Sequence, residues 1–187
     1  MLKNFFYLLA ATLISCNVQR NLPPGTAVLS ENIYMDVVDI RNVDYLEYLH
    51  WTQKVHGSAS EAYVRAYPDT AWLEKLTRLK GLSKDYLHSP AYRKFPVLGV
   101  SRNQAEAFCQ WRSDRVFEFI LVREGVIRYD AKRQEQRQFS IAKYFNGDFE
   151  GLKPDTSIKY IRYILPDSIQ ETRSGFRSLC SYKEWAR

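Results

Sequence analysis

The stretch from Pro96 to Arg115, P-V-L-G-V-S-R-N-Q-A-E-A-F-C-Q-W-R-S-D-R, constrains the fold of this chain more than any other. Val97, Leu98 and Val100 make an apolar run able to enter a core, and it stops at a strong helix-start signal. Ser101 followed three residues later by Gln104 is a capping box. The serine oxygen accepts the Gln104 amide hydrogen, and the glutamine side chain reaches back to the amide of Ser101. Val100 and Ala105 can add a small hydrophobic staple across the turn. Beyond the cap, Ala105, Phe108, Cys109 and Arg112 recur at the three- and four-residue spacings of one helical side, with Gln104 and Trp111 on its flanks. The apolar part of that side is expected to face the core, with Phe108 and Cys109 filling it and the alanines at 105 and 107 letting another element come close.

The rest of the chain arranges itself around this element. Thr26, Val28 and Leu29 read as a short strand and Ile33 to Ile40 as a better one. Asp36 and Asp39 interrupt that apolar run. Two close carboxylates can hold a cation, but no recognised loop surrounds them, so they read as edge or turn residues. Asn42 is expected to cap a helix with Val43, Tyr45, Leu46 and Leu49 on its apolar side. Residues 58–87 read as helical in two pieces, stopped near Gly81, and Tyr86, Tyr92 and Phe95 read as packing aromatics. After Arg115 the pattern V-F-E-F-I-L-V-R fits either a continued helix or a strand, with Gly125 as the break. The charged segment 130–138 reads as an exposed connection, and 158–165 and 176–179 as strands.

The N-terminus carries a different signal. Lys3 is followed by an apolar run from Phe5 to Ile14, too short to cross a bilayer as a permanent helix but of the order expected for an export signal. It ends in L-I-S-C, Leu13 to Cys16, which resembles a bacterial lipobox. The resemblance implies cleavage before Cys16, a diacylglycerol on its thiol and an acylated, palmitate-like chain on its amine. Each buried methylene of such chains contributes about 0.8 kcal/mol to membrane anchoring. The expected organisation is a signal peptide over 1–15, a lipidated tether over 16–25 stiffened by Pro23 and Pro24, and a single domain over 26–187. Removing Lys3 with the signal lowers the formal net charge from +6 to +5. That mild excess is spread along the chain without a Lys/Arg stripe, which speaks against a nucleic-acid partner and leaves a phospholipid surface or an acidic glycan as the better counterpart.

Four stretches, taken together, resemble the formylglycine-generating-enzyme-like (sulfatase-modifying-factor) domain: E-N-I-Y-M-D-V-V-D-I-R-N-V-D-Y at 31–45, F-P-V-L-G-V-S at 95–101, A-E-A-F-C-Q-W at 105–111 and G-F-R at 175–177. W-R-S-D-R-V at 111–116 with S-P-A-Y at 89–92 looks most like the branch found in Bacteroidetes gliding-motility and type IX secretion lipoproteins. The resemblance implies an α+β fold of C-type-lectin-like architecture, shortened, with short twisted antiparallel sheets and two main helices. Enzymes of that family are copper-dependent oxidases or iron-dependent sulfoxide synthases. Here the family's V-S-W has become Val100-Ser101-Arg102, the acidic block after the second helix is missing, and so is the cysteine-bearing segment before the closing G-F-R.

Of three cysteines, Cys16 is assigned to lipid, leaving Cys109 and Cys180 as a disulfide, as two buried thiols or as a catalytic pair. Three histidines in separate settings, with no H-E-x-x-H and no Gly-rich phosphate loop, name no metal, cofactor or catalytic residue. The expected function is therefore a non-catalytic envelope lipoprotein, anchored at the outer membrane facing the periplasm. It would act as a binding or assembly module toward an envelope protein or a second copy of itself, in gliding motility or type IX secretion. A metal-dependent oxygen-using enzyme with a rewired site and a glycan-binding module are the alternatives.

Overall fold

A computed structural model describes residues 22–83, 85–130, 138–168 and 172–185. Strands β1 (Thr26–Ser30) and β2 (Ile33–Asp36) form a hairpin and lead into helix α1 (Asn42–His56). Two shorter helices, α2 (Glu61–Ala66) and α3 (Thr70–Leu79), precede the long helix α4 (Arg102–Arg123). A short helix α5 (Ile141–Phe145) and strands β3 (Tyr160–Ile164) and β4 (Leu179–Lys183) complete the domain. The strands form one open antiparallel sheet in the order β1-β2-β4-β3. The molecule is thus an α+β domain with a four-stranded antiparallel sheet that does not close into a barrel, and α1 and α4 are the two longest helices among the described residues.

Helix α4 lies against β3 and joins two cores. Its first half supplies Ala105, Phe108 and Cys109 to a cluster with Tyr45, Tyr48, Val97, Val100, Tyr163, Phe176 and Cys180. Its second half supplies Phe117 and Leu121 to a separate cluster with Ile127, Phe139, Tyr144 and Phe145. The ambiguous run after Arg115 is therefore helix. Phe117 and Leu121 continue the four-residue row of buried Ala105, Cys109 and Ser113, a row that drifts around the helix from the first core to the second, so packing decides between the two periods. Ser113, also buried, ties helix to sheet: its hydroxyl donates to the Cys109 carbonyl and accepts from Tyr163 N–H of edge strand β3, both at 2.8 Å. An edge-strand donor that would otherwise face the helix unpaired is satisfied.

The capping box at Ser101 is present, and it reaches further than its own helix. Gln104 Oε1 accepts from Ser101 N at 2.8 Å, while Ser101 Oγ accepts from Gln104 N at 3.4 Å. The Gln104 amide donates to the carbonyls of Arg65 and Tyr67 at 2.9 and 2.6 Å, so it also closes the exposed end of α2. Ser101→Ala should cost about 0.5–2 kcal/mol, the usual range for a lost cap, and Gln104→Ala should cost more because two helix ends lose partners. Urea unfolding of the two variants side by side checks the order.

Three readings of the sequence are corrected. Asn42 does not cap α1. Arg41 occupies that position, with Asp44 accepting from its backbone N–H at 3.0 Å and pairing with its guanidinium. Asn42 is buried one residue later and donates to the carbonyls of Tyr86 and Tyr92 instead. Strand β2 ends at Asp36, because the chain bends at Val37 and Val38 and residue 40 then hydrogen-bonds to irregular chain: Ile40 N to Phe176 O and Val97 N to Ile40 O, both 2.8 Å. The closing strand starts at Leu179, three residues after the expected Phe176, for the same reason. Gly99 is where this irregular packing is tightest. Its φ is +77°, and a Cβ there would sit 3.0 Å from the Asp69 carbonyl oxygen.

Candidate ligand-binding face

The two aspartates that read as edge or turn residues from sequence do something else. Asp36 is buried, and its Oδ1 accepts from Arg112 Nη1 at 2.8 Å, while its Oδ2 accepts from the backbone and hydroxyl of Ser178 at 2.7 and 2.6 Å. Arg112 also donates to Ser178 Oγ and to the Pro24 carbonyl, and its guanidinium lies 4.0 Å from the centre of the Tyr163 ring. Burial lowers the Arg112 pKa, but the Asp36 charge leads the opposing contributions and the net shift is upward. Asp39 pairs with Arg177 at 3.0 Å nearer the surface. These contacts bind the tether end, β2, α4 and the segment before β4 into one clamp, whose acceptors and donors are consumed by each other.

Cys109 and Cys180 belong to the same core and are free, buried thiols. Burial pushes each thiol up to about 12, with the nearby Arg112 charge opposing only in part. At neutral pH both are protonated and shielded from a substrate. Native protein treated with iodoacetamide should leave both unmodified, and unfolded protein should take up label at both without any reductant. A bridge would instead require reduction first, and mass spectrometry of the two peptides separates these outcomes. Cys16, the expected lipid attachment point, lies outside the described residues, as does most of the charged connection at 131–137.

Open space lies elsewhere, along the outer face shared by α1 and α4. One cavity of about 660 Å³ is lined by Thr52, His56, Asn103, Gln110 and Asp114, among others. A neighbour of about 600 Å³ is lined by Glu47, His50, Lys54, Arg115 and Glu118, among others. Trp51 and Trp111 line both, so the two indoles are the shared wall, with ring centres 6.4 Å apart. Each is half buried. Trp111 is backed by Tyr48 and Phe108 at 5.4 and 5.5 Å, and Trp51 carries the Arg115 guanidinium 4.9 Å from its ring centre.

The polar groups of this face are unevenly satisfied. Asp114 accepts from Ile141 N at 2.9 Å and from the Gln110 amide at 3.3 Å; burial nevertheless raises its carboxyl above the usual range. Arg115 donates to Glu118 and to the Phe139 carbonyl, and burial lowers its pKa. The indole nitrogens of Trp51 and Trp111 and Nε of Arg115 are buried and meet no acceptor among the described residues. Leaving a buried donor unmatched costs about 1–3 kcal/mol each, and three close together mark a place where stability has been given up.

Sequence reading placed Trp111 on the shoulder of α4 but did not pick out Trp51 or Arg115. The signal that would have found them is a tryptophan on the outer shoulder of each long helix. Among the described residues no group of three or more His, Cys, Asp or Glu is arranged to hold a metal ion, and no helix is long and apolar enough to cross a membrane. No protein-family profile, curated protein or solved structure matches this chain.

Proposed function

We propose that this chain is a lipid-anchored protein of the bacterial envelope, held through Cys16 at the outer membrane on its periplasmic side. It acts there as a binding or assembly module rather than as an enzyme. The domain is a shortened formylglycine-generating-enzyme-like fold, of the kind used in gliding motility and type IX secretion. One observation carries the binding reading: the thiols are sealed in the core and protonated, whereas the open, aromatic-walled space lies on the opposite shoulder of α4. The L-I-S-C ending of the apolar N-terminal run supports the anchor, and the small α+β domain with an open antiparallel sheet is compatible with the proposed family.

The test is made on protein from its own host. Mass spectrometry of the N-terminus should find a chain beginning at Cys16 and carrying acyl groups. Crosslinking in intact cells should capture an envelope protein or a second copy of this chain. An unprocessed, unacylated N-terminus removes the anchor. Stoichiometric copper or iron together with oxygen uptake on a thiol substrate replaces the binding reading with an enzymatic one.

A further inference from the structure

We infer that the face between α1 and α4 is a binding groove for an uncharged saccharide chain, with Trp51 and Trp111 as its stacking platform. This deepens the binding-module reading and rests on it, but not on the lipid anchor. Four features of the face point to this ligand chemistry.

The first is the wall itself. Two half-buried indoles, their centres 6.4 Å apart and their planes at 57°, present aromatic surface to both cavities. The electron-rich face of an indole attracts polarised C–H groups, and the C–H face of a pyranose ring supplies them. The second is size: each cavity falls within the roughly 300–1,000 Å³ of ordinary ligand sites, and two such cavities in a row on either side of a shared wall suit an extended chain of sugar rings.

Charge is the third and excludes the competing ligands. The formal charges lining the two cavities cancel, with Arg65, Lys54 and Arg115 set against Asp114, Glu47 and Glu118. A phosphate, a phospholipid headgroup or a polyanionic glycan would find no net positive field here, even though the whole chain is basic. The fourth is the hydrogen-bonding inventory. Asn103 and Gln110 offer donors and acceptors in neutral form, as hydroxyl groups require. A sugar hydroxyl meets both roles of such an amide, donor and acceptor, where a hydrocarbon ligand meets neither.

The experiment uses the full chain in a detergent without a sugar headgroup. Tryptophan fluorescence and isothermal titration are followed against uncharged hexasaccharides of glucose, mannose, xylose and N-acetylglucosamine, with oligogalacturonate and a heparin fragment as charged comparisons. Saturable binding of at least one uncharged chain is expected. Trp51→Ala and Trp111→Ala should each weaken it at least about tenfold, as for aromatic anchors in other binding sites. Gln110 is exposed and its replacement leaves the core alone, so Gln110→Ala carries the test if a tryptophan variant fails to fold. It should weaken binding about fivefold, the loss of one neutral hydrogen bond. Leu79→Ser, on the exposed side of α3, should change nothing. Binding confined to the charged oligosaccharides, binding to none, or binding indifferent to Trp51, Trp111 and Gln110 overturns the inference. An absent anchor is read separately at the N-terminus, so the two failures are distinguishable.

Discussion

Replacing Asp36 by alanine is expected to lower stability by about 3–5 kcal/mol, because it leaves the Arg112 guanidinium buried without its counter-charge. Three groups lose their partner together: Arg112, the Ser178 backbone N–H and the Ser178 hydroxyl all bond to the Asp36 carboxylate. The penalty is one of desolvation rather than of lost attraction, and this distinction can be measured. In the double variant Asp36→Val with Arg112→Met, both charges are gone and apolar groups of similar reach fill the space. If uncompensated charge is the dominant cost, the double variant should recover much of what Asp36→Ala loses. If it is as unstable as the single variant, the pair contributes by attraction and geometry instead. Chemical unfolding with a shared m-value, across wild type, Asp36→Ala, Asp36→Val, Arg112→Met and the double, decides between them. Asp39→Ala is the comparison: its partner Arg177 lies near the surface, so the loss should fall within the 0–1 kcal/mol typical of exposed pairs.

The Asp36 clamp also shows where sequence reasoning stops. Helix α4 was legible from Ser101 and Gln104 because a capping box is local: donor, acceptor and spacing all lie within four residues. The buried side of its first half was legible from the spacing of Ala105, Phe108 and Cys109. Neither clue extends to partners more than sixty residues away. Asp36 stood out as an acid in an apolar run, and Arg112 as a base on an apolar helical side, yet nothing local joins them. The same limit explains the irregular segments at 37–40 and 176–178. They have the composition of strands, but their amides pair with loops, and strand identity depends on the partner's shape. Past Arg115, apolar residues are dense enough to satisfy both periods, so only the second core around Phe117 separates helix from strand. The candidate site was the least legible part. Trp51 and Trp111 are sixty residues apart, and a tryptophan on a helix shoulder reads as packing until the space beside it is seen.

Phe108→Ala should destabilise the domain toward the upper end of about 3–5 kcal/mol, the range for a buried aromatic replaced by alanine. The ring is 1 % exposed and touches four others, stacked on Tyr45 at 5.6 Å and edge-on to Tyr48 and Phe176 at 5.8 and 5.9 Å, with Trp111 at 5.5 Å. Aromatic pairs add about 0.5–1.5 kcal/mol beyond area burial, and this residue holds four of them. Its neighbours come from α1, α4 and the segment before β4, so the cavity cannot close by moving one element alone. For a chain of this length a loss of that size lowers Tm by about 6–20 °C, against a total stability of about 5–15 kcal/mol. Phe119 lies eleven residues further along the same helix but is largely exposed, and Phe119→Ala should stay within about 0.5 kcal/mol. Because Phe108 backs Trp111, the variant should also loosen the tryptophan wall, visible as a red-shifted indole emission in the still-folded protein. A loss under 1.5 kcal/mol with unchanged emission would mean that the surrounding rings collapse into the vacated space, and that the aromatic core is softer than its interlocked ring geometry implies.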